Sequence, residues 1–187
     1  MARTVLKFGG TSVADLERIS HVADIVAHRA AQGEKIAVIV SAMSGETNKL
    51  VALAKGAAGE AVIGDAFDDE YDVVVASGEQ VTSGLLALSL RKRGLQARSW
   101  LGWQMRMKTR EGHGAARIDG FDQDSGLGDA IDSGEVAVIA GFQGVTEDGR
   151  VSTLGRGGSD TTAVAVAAAL GSVPCDIYTD VDGVYTT

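Results

Sequence analysis

Two glycine-rich segments contain the residue types that could bind and transfer an anionic group. KFGGTS (residues 7–12) separates a β-rich segment from a helix-forming one, and GRGGSD (residues 155–160) precedes another helix-forming run. Glycines let an anion approach the backbone, and a helix N-terminus offers free N–H groups and a positive dipole end. Lys7 adds a point charge, and the planar donors of Arg156 match two oxygens at once. Together the two segments favour an anion-transfer site that acts by positioning and positive charge.

The residue order argues against two familiar nucleotide-binding motifs. Lys7 precedes its glycines, whereas the lysine of a P-loop follows them. The second segment does not fit G-x-G-x-x-G, because Asp160 occupies the third glycine position, so dinucleotide binding loses its main support. The structural alternatives are a plain strand-to-helix turn for the first segment and a helix cap beside a surface arginine for the second. We expect Ser12 and Ser159 to cap the two helices.

A third candidate is SGE (residues 77–79), which falls inside a predicted helix. Glycine is an unusual choice there, since it costs roughly 1 kcal/mol relative to alanine. Glu79 is therefore a candidate for a ligand contact, for example with an ammonium group. No metal-ligand spacing is present among the three histidines, and DVDG (residues 180–183) lacks the distant glutamate of a calcium loop. The sequence thus predicts no metal site built by the protein.

Composition narrows the class of protein. The 187 residues suit a single domain, 45% of them are hydrophobic and 22% are charged, and the net charge of −8 argues against nucleic acid as a partner. One cysteine, Cys175, fits a reducing compartment. The N-terminus MARTVLKFGG has no apolar signal core, and the longest apolar run, AVAVAAAL, is too short to span a membrane. We therefore expect a cytoplasmic protein with no membrane partner.

Alternating strand and helix patterns predict an α/β fold, a three-layer αβα sandwich around a mainly parallel sheet. Continuously apolar segments indicate buried strands, and VTEDGRVSTL (residues 145–154) indicates a hairpin with Asp148 and Gly149 in a two-residue turn. The polar segment at residues 119–129 is predicted to be a surface loop. The predicted strands lie at residues 3–8, 35–40, 96–100, 135–142 and 175–180, and the predicted helices at 13–32, 47–57, 71–93 and 160–170.

Five motifs in chain order resemble aspartate kinases of the amino acid kinase family, over essentially all 187 residues. They are KFGGTSV (7–13), VSAMSGETNKL (40–50), SGEQ (77–80), TLGRGGSDTTA (153–163) and YTDVDGVYTT (178–187). The first is shared with relatives that act on other carboxylates, whereas the fourth is more specific. The resemblance implies phosphorylation of the L-aspartate side-chain carboxylate by ATP with Mg²⁺, the first step toward lysine, threonine and methionine.

The resemblance also implies roles for individual residues. Lys7, Gly9 and Gly10 would hold the transferring phosphate, and Asp160 would hold Lys7 by charge pairing, which makes Lys7 and Asp160 the expected catalytic residues. Glu79 would bind the ammonium of aspartate. The other expected substrate-binding residues are Thr11, Ser12, Ser41, Thr47, Arg156, Gly157, Gly158 and Ser159. The other expected ATP-binding residues are Thr179, Asp180 and Tyr185.

Aspartate kinases continue after this last motif with an Asp-Pro-Arg segment, further helices and regulatory ACT domains. We therefore interpret residues 1–187 as an amino acid kinase catalytic domain that is incomplete at its C-terminus, without ACT domains, from a parent expected to be a homo-oligomer. Two alternatives remain open. One is a kinase for another carboxylate or a nucleoside monophosphate; the other is a non-catalytic aspartate-binding or assembly fragment.

Overall fold

The computed structural model describes residues 2–58, 69–110, 112–122 and 125–179. In chain order the strands are β1 (Arg3–Phe8), β2 (Lys35–Val40), β3 (Ala97–Trp100), β4 (Met107–Arg110), β5 (Arg117–Phe121), β6 (Val136–Ala140), β7 (Gln143–Val145), β8 (Val151–Thr153) and β9 (Cys175–Tyr178). The α-helices are α1 (Leu16–Ala31), α2 (Glu46–Ala58), α3 (Asp69–Lys92), α4 (Leu127–Asp132) and α5 (Gly158–Ala169).

The central sheet has five strands in the order β3-β6-β2-β1-β9, and every neighbouring pair is parallel. Alternate side chains of each strand enter different layers. On one face Leu6, Phe8 and Val38 pack with residues of α1 and α3, and on the other Val5 and Ile39 pack with residues of α4 and α5. The predicted three-layer αβα sandwich with a mainly parallel sheet is confirmed.

A second, four-stranded sheet in the order β5-β4-β7-β8 was only partly predicted. The hairpin of β7 and β8 exists, but its loop has three residues, because Thr146 pairs with Arg150 and the Gly149 N–H bonds to the Thr146 carbonyl at 3.0 Å. Gly149 has a φ of 86°, as this loop type requires. The prediction of a two-residue turn at Asp148 and Gly149 is therefore wrong.

The predicted surface loop at residues 119–129 is wrong at both ends, because β5 runs to Phe121 and α4 begins at Leu127. Both predicted serine caps are also wrong. Ser12 lies in a short 3-10 helix (Gly10–Val13), and α1 is instead capped by Asp15, which accepts a hydrogen bond from the Arg18 N–H. Ser159 lies inside the first turn of α5, whose N-cap is Gly157 with a φ of 76°.

Helix α3 is long enough, and apolar enough in composition, to cross a membrane, and it is the one described helix that meets this test. Its surroundings account for that composition. Half of the 18-residue apolar stretch of α3 is buried within the domain, and Val75, Leu86 and Leu90 are fully or almost fully buried. The buried apolar side chains of α3 thus contribute to the core of the fold, whereas Val73, Val81 and Leu88 are exposed.

Candidate active site

A cavity of about 210 Å³ lies at the carboxyl ends of β1, β2 and β6, the edge where parallel α/β sheets bind ligands. It brings together most of the residues predicted to bind substrate, although they are far apart in the sequence. Its lining residues are Lys7, Ser41, Thr47, Glu79, Phe142, Gly157, Gly158, Ser159 and Asp160. Both glycine-rich segments therefore line this one cavity, the first through Lys7 and the second through Gly157, Gly158, Ser159 and Asp160.

Lys7 provides the cation of this cavity. It is buried on the α5 side of β1, and its Nζ lies 2.7 Å from Oδ1 of Asp160 in the first turn of α5. The side chain of Asp160 is half exposed, whereas that of Lys7 is only 11% exposed. This ion pair fixes the ammonium at the cavity wall, so the predicted pairing of Lys7 with Asp160 is present in the structure.

Glu79 provides the anion, and it is only 3% exposed on α3. Its Oε1 accepts a hydrogen bond from the Ala42 N–H at 3.1 Å, but no described residue donates to its Oε2. Burial raises the pKa of Glu79 to about 7, more than the Ala42 hydrogen bond lowers it. An acid with one oxygen unpaired beside a cavity can bind a cationic group of a ligand.

Close backbone packing shapes the walls of the cavity. A Cβ on Gly141 would lie 2.8 Å from Oγ of Ser159, and a Cβ on Gly158 would lie 2.6 Å from the ring of Phe142. Phe142 itself has a φ of 68°, a backbone conformation that residues other than glycine rarely adopt. Strained residues of this kind cluster at binding sites, where the surrounding structure holds them in place.

Arg156 lies on the exposed turn that immediately precedes Gly157. It does not line the cavity, and it makes no hydrogen bond or ion pair with any residue that the structure describes. Its guanidinium is thus available to a ligand bound beside the start of α5. The structure places the Arg156 backbone next to the site and leaves its side chain in solvent.

A larger cavity of about 590 Å³ lies between the first turns of α1 and the end of β9. Its walls include Thr11, Ser12 and Thr179, three predicted site residues that do not line the smaller cavity. Gly9 and Gly10 lie in the chain between Lys7 and these threonine and serine side chains. The space around Gly10 is tight, since a Cβ there would approach the Ala42 carbonyl to 3.0 Å, whereas a Cβ on Gly9 would lie at an ordinary contact distance of 3.5 Å from Nζ of Lys7.

Two predicted ATP-binding residues, Asp180 and Tyr185, lie outside the described residues. Conversely, the sequence reasoning missed Gly141 and Phe142. Gly141 follows an apolar strand, which is a common place for a turn, and only the contact with Ser159 shows why a side chain cannot fit. The sequence carries no local signal for the positive φ of Phe142.

The sequence profile of the amino acid kinase family matches residues 2–187. The chain belongs to the amino acid kinase family. Among its relatives, an aspartate kinase of Pseudomonas fluorescens is 53% identical over all 187 residues, which make up 44% of that relative. The chain therefore spans less than half the length of curated relatives that it matches.

Solved structures of the family agree with this fold. Aspartokinase III of E. coli in complex with aspartate and ADP superposes with a TM-score of 0.80 at 30% identity, over 98% of this chain and 50% of that one. Aspartate kinase from Synechocystis gives a TM-score of 0.77 at 40% identity, over 95% of this chain and 28% of that one. Relatives named aspartate kinase thus match in both sequence and fold.

Proposed function

We propose that this amino acid kinase chain binds L-aspartate in the smaller cavity and transfers the γ-phosphoryl group of ATP to its side-chain carboxylate. The product is an acyl phosphate, 4-phospho-L-aspartate, which begins the route to lysine, threonine and methionine. The names of the relatives support this choice of substrate, as does a relative's complex with aspartate and ADP.

The observation that carries the proposal is the buried carboxylate of Glu79 in the same cavity as the ammonium of Lys7. The unpaired Oε2 of Glu79 would accept a hydrogen bond from the substrate ammonium. Lys7 would lie near the side-chain carboxylate that accepts the phosphoryl group. The volume of about 210 Å³ is below the roughly 300–1,000 Å³ of pockets for drug-sized ligands, which suits a small amino acid.

The remaining groups fit the carboxylates of such a substrate. Thr47 and Ser159 line the cavity with polar side chains, and Arg156 can close over it from the adjacent turn. A guanidinium binds a carboxylate through two parallel hydrogen bonds, which fixes its orientation as well as its position. We assign Arg156 to a carboxylate of aspartate.

The nucleotide would lie toward the larger cavity, which Thr11, Ser12 and Thr179 line. The backbone at Gly9 and Gly10 joins the two cavities and suits the phosphates, because it carries no side chain. No cluster of three His, Cys, Asp or Glu able to hold a metal ion exists in the described part of the chain. Mg²⁺ would accordingly be held through ATP phosphates and water, and would neutralise their charge when bound.

In the proposed step an oxygen of the substrate side-chain carboxylate forms a bond with the γ-phosphorus. The bond between that phosphorus and the oxygen bridging to the β-phosphate breaks, and ADP leaves with the bonding electron pair. The carboxylate is already ionised, so the step needs no base. Lys7 stabilises the transferring oxygens, and Asp160 keeps its ammonium in place.

Hydroxylamine tests this chemistry, because it converts an acyl phosphate to a hydroxamate and leaves phosphate esters unchanged. With ATP, Mg²⁺ and L-aspartate we expect hydroxamate, and with glutamate we expect none. Lys7→Ala should remove the signal. Lys35→Ala is the matched control, since Lys35 also lies on a strand of the sheet and also pairs with an aspartate, Asp132, but at the opposite edge.

A folded chain that binds aspartate but forms no hydroxamate would contradict the kinase proposal. That outcome would favour the non-catalytic aspartate-binding alternative. Hydroxamate from a different carboxylate, with none from aspartate, would instead contradict the choice of substrate.

A further inference from the structure

Asp72 is a fully buried carboxylate in the first turn of α3, outside the cavity described above. Both of its oxygens accept hydrogen bonds. The Gly114 N–H lies 3.0 and 3.1 Å from the two oxygens, and Nδ1 of His113 lies 2.8 Å from Oδ2. Thr153 contributes its N–H at 2.9 Å and its hydroxyl. A buried carboxylate with this many donors ties three separate parts of the chain together.

The bonds to Thr153 matter because this residue ends β8 and leads directly into the turn that carries Arg156. The Thr153 carbonyl accepts from the Ala116 N–H at 3.0 Å, and the next residue, Leu154, is buried and bonds to the Phe142 carbonyl at 2.8 Å. Beyond Leu154 the chain becomes exposed at Arg156 and Gly157. The hydrogen bonds of Thr153 and Leu154 therefore fix the position from which the exposed turn begins.

The same helix carries Glu79. Glu79 is the seventh residue after Asp72, which corresponds to about 10 Å along the axis and nearly two complete turns, so both side chains lie on one face of α3. One end of that face holds the carboxylate proposed to bind the substrate ammonium. The other end holds the segment that carries the proposed carboxylate-binding arginine. Helix α3 thus fixes the distance between the two.

We propose that Asp72 is a positioning residue for the substrate site, which it serves by anchoring the turn at residues 154–157 to α3. The inference rests on the proposed function, in which that turn presents Arg156 to the substrate. Asp72 touches neither substrate nor nucleotide; it acts through Thr153. Without the anchor the turn samples more conformations, and Arg156 is correctly placed for less of the time.

Two variants remove parts of the anchor. Asp72→Asn replaces an oxygen that accepts hydrogen bonds with an amide that donates them, and Thr153→Val removes only the hydroxyl bond to Asp72. Ser152→Ala is the matched control, because Ser152 is also fully buried on β8 but bonds to Thr109 instead. Thr153→Ser restores the hydroxyl and serves as the rescue variant.

The first measurement is hydrogen–deuterium exchange of residues 154–160 without ligand, with a peptide from α1 as the reference for global stability. Asp72→Asn and Thr153→Val should speed exchange in residues 154–160 and leave the α1 peptide unchanged. The second measurement is the Kd for aspartate by calorimetry, which should rise by about tenfold to a hundredfold in Asp72→Asn and less in Thr153→Val. Ser152→Ala and Thr153→Ser should match the unmodified chain in both.

The anchoring proposal is wrong if Thr153→Val leaves exchange at residues 154–160 unchanged, or if Ser152→Ala raises exchange and Kd as much as Thr153→Val does. Thr153→Val decides the question even if Asp72→Asn does not fold. Failure of the unmodified chain to bind aspartate would contradict the proposed function instead. Exchange, which is measured without ligand, would still decide whether Asp72 holds the turn.

Discussion

Glu79→Gln should weaken the binding of aspartate and at the same time stabilise the folded chain. The substitution keeps the shape of the side chain and an oxygen that can accept the Ala42 N–H bond, which is 3.1 Å long in the structure. It removes the negative charge of a residue that is only 3% exposed and whose carboxylate has one oxygen without a described partner. A charge that is costly to bury and has no partner within the described chain is expected to serve a ligand.

The pKa of Glu79 gives the size of the stability effect. Burial raises it from the ordinary 4.5 to about 7, so between these pH values the folded chain binds more protons than the unfolded chain. The free energy of unfolding therefore falls as pH rises through this window. At about 1.4 kcal/mol per pH unit, the ionised carboxylate costs as much as about 3 kcal/mol above pH 7. Glu79→Gln should recover part of this cost at pH 8 and little at pH 5.

The effect on binding has the opposite sign. Loss of a buried charge that pairs with the substrate ammonium costs about 2–4 kcal/mol, or a Kd for aspartate higher by about 30-fold to 1,000-fold. In the unmodified chain the affinity should also fall as pH drops below about 7, because Glu79 must be ionised to bind the ammonium. Glu79→Gln should lose this contribution to the pH dependence.

Urea unfolding at pH 5 and pH 8, with calorimetric titration of aspartate from pH 6 to pH 8, measures both effects. Glu135→Gln is the matched control, because Glu135 pairs with Arg98 at the surface at 3.1 Å and should change stability by no more than about 1 kcal/mol. The reasoning is refuted if Glu79→Gln is less stable than the unmodified chain at pH 8, or if it binds aspartate equally well.

Three further predictions concern substitutions by alanine, two within α3 and one at Arg156. Gly84→Ala should stabilise the chain by about 0.5–1 kcal/mol, because its new methyl group meets no atom within 4 Å in α3. Gly78→Ala in the same helix should destabilise it by about 1–3 kcal/mol, since its Cβ would lie 2.9 Å from Ala42 and 3.1 Å from Leu50; equal urea midpoints would contradict the packing. Arg156→Ala should raise the Kd for aspartate by about tenfold to a hundredfold with unfolding unchanged, and a loss of stability without weaker binding would contradict its assignment to substrate.

The sequence predicted best where a pattern depends on burial along one element. The bounds of β1 and β2 were predicted to the residue. The first is rich in strand-forming residues and ends before two glycines, the second is continuously apolar, and both are buried on both faces. The ends of α3 were predicted within two residues. In contrast, β4 and β5 are short, and no residue of the latter is fully buried, so neither stood out from its polar surroundings.

Glu79 was predicted to bind a ligand for a reason that differs from what the structure shows. Gly78 singled out Glu79 because glycine is unusual within a helix, and the structure shows that Gly78 lets α3 pack closely against Ala42 and Leu50. Asp72 could not be found in this way. An acidic residue in the first turn of a helix is ordinarily a solvated, dipole-stabilising residue, and only the tertiary contacts of Asp72 show that it is fully buried.

The most direct test of the central claim follows an oxygen atom from aspartate to phosphate. The chain is incubated with ATP, Mg²⁺, hydroxylamine and L-aspartate labelled with heavy oxygen in its side-chain carboxylate, and the released phosphate is analysed by mass spectrometry. If the carboxylate attacks the γ-phosphorus, each phosphate released with a hydroxamate carries one heavy oxygen. Hydroxamate accompanied by unlabelled phosphate, or no hydroxamate from folded chain, would contradict the proposed reaction.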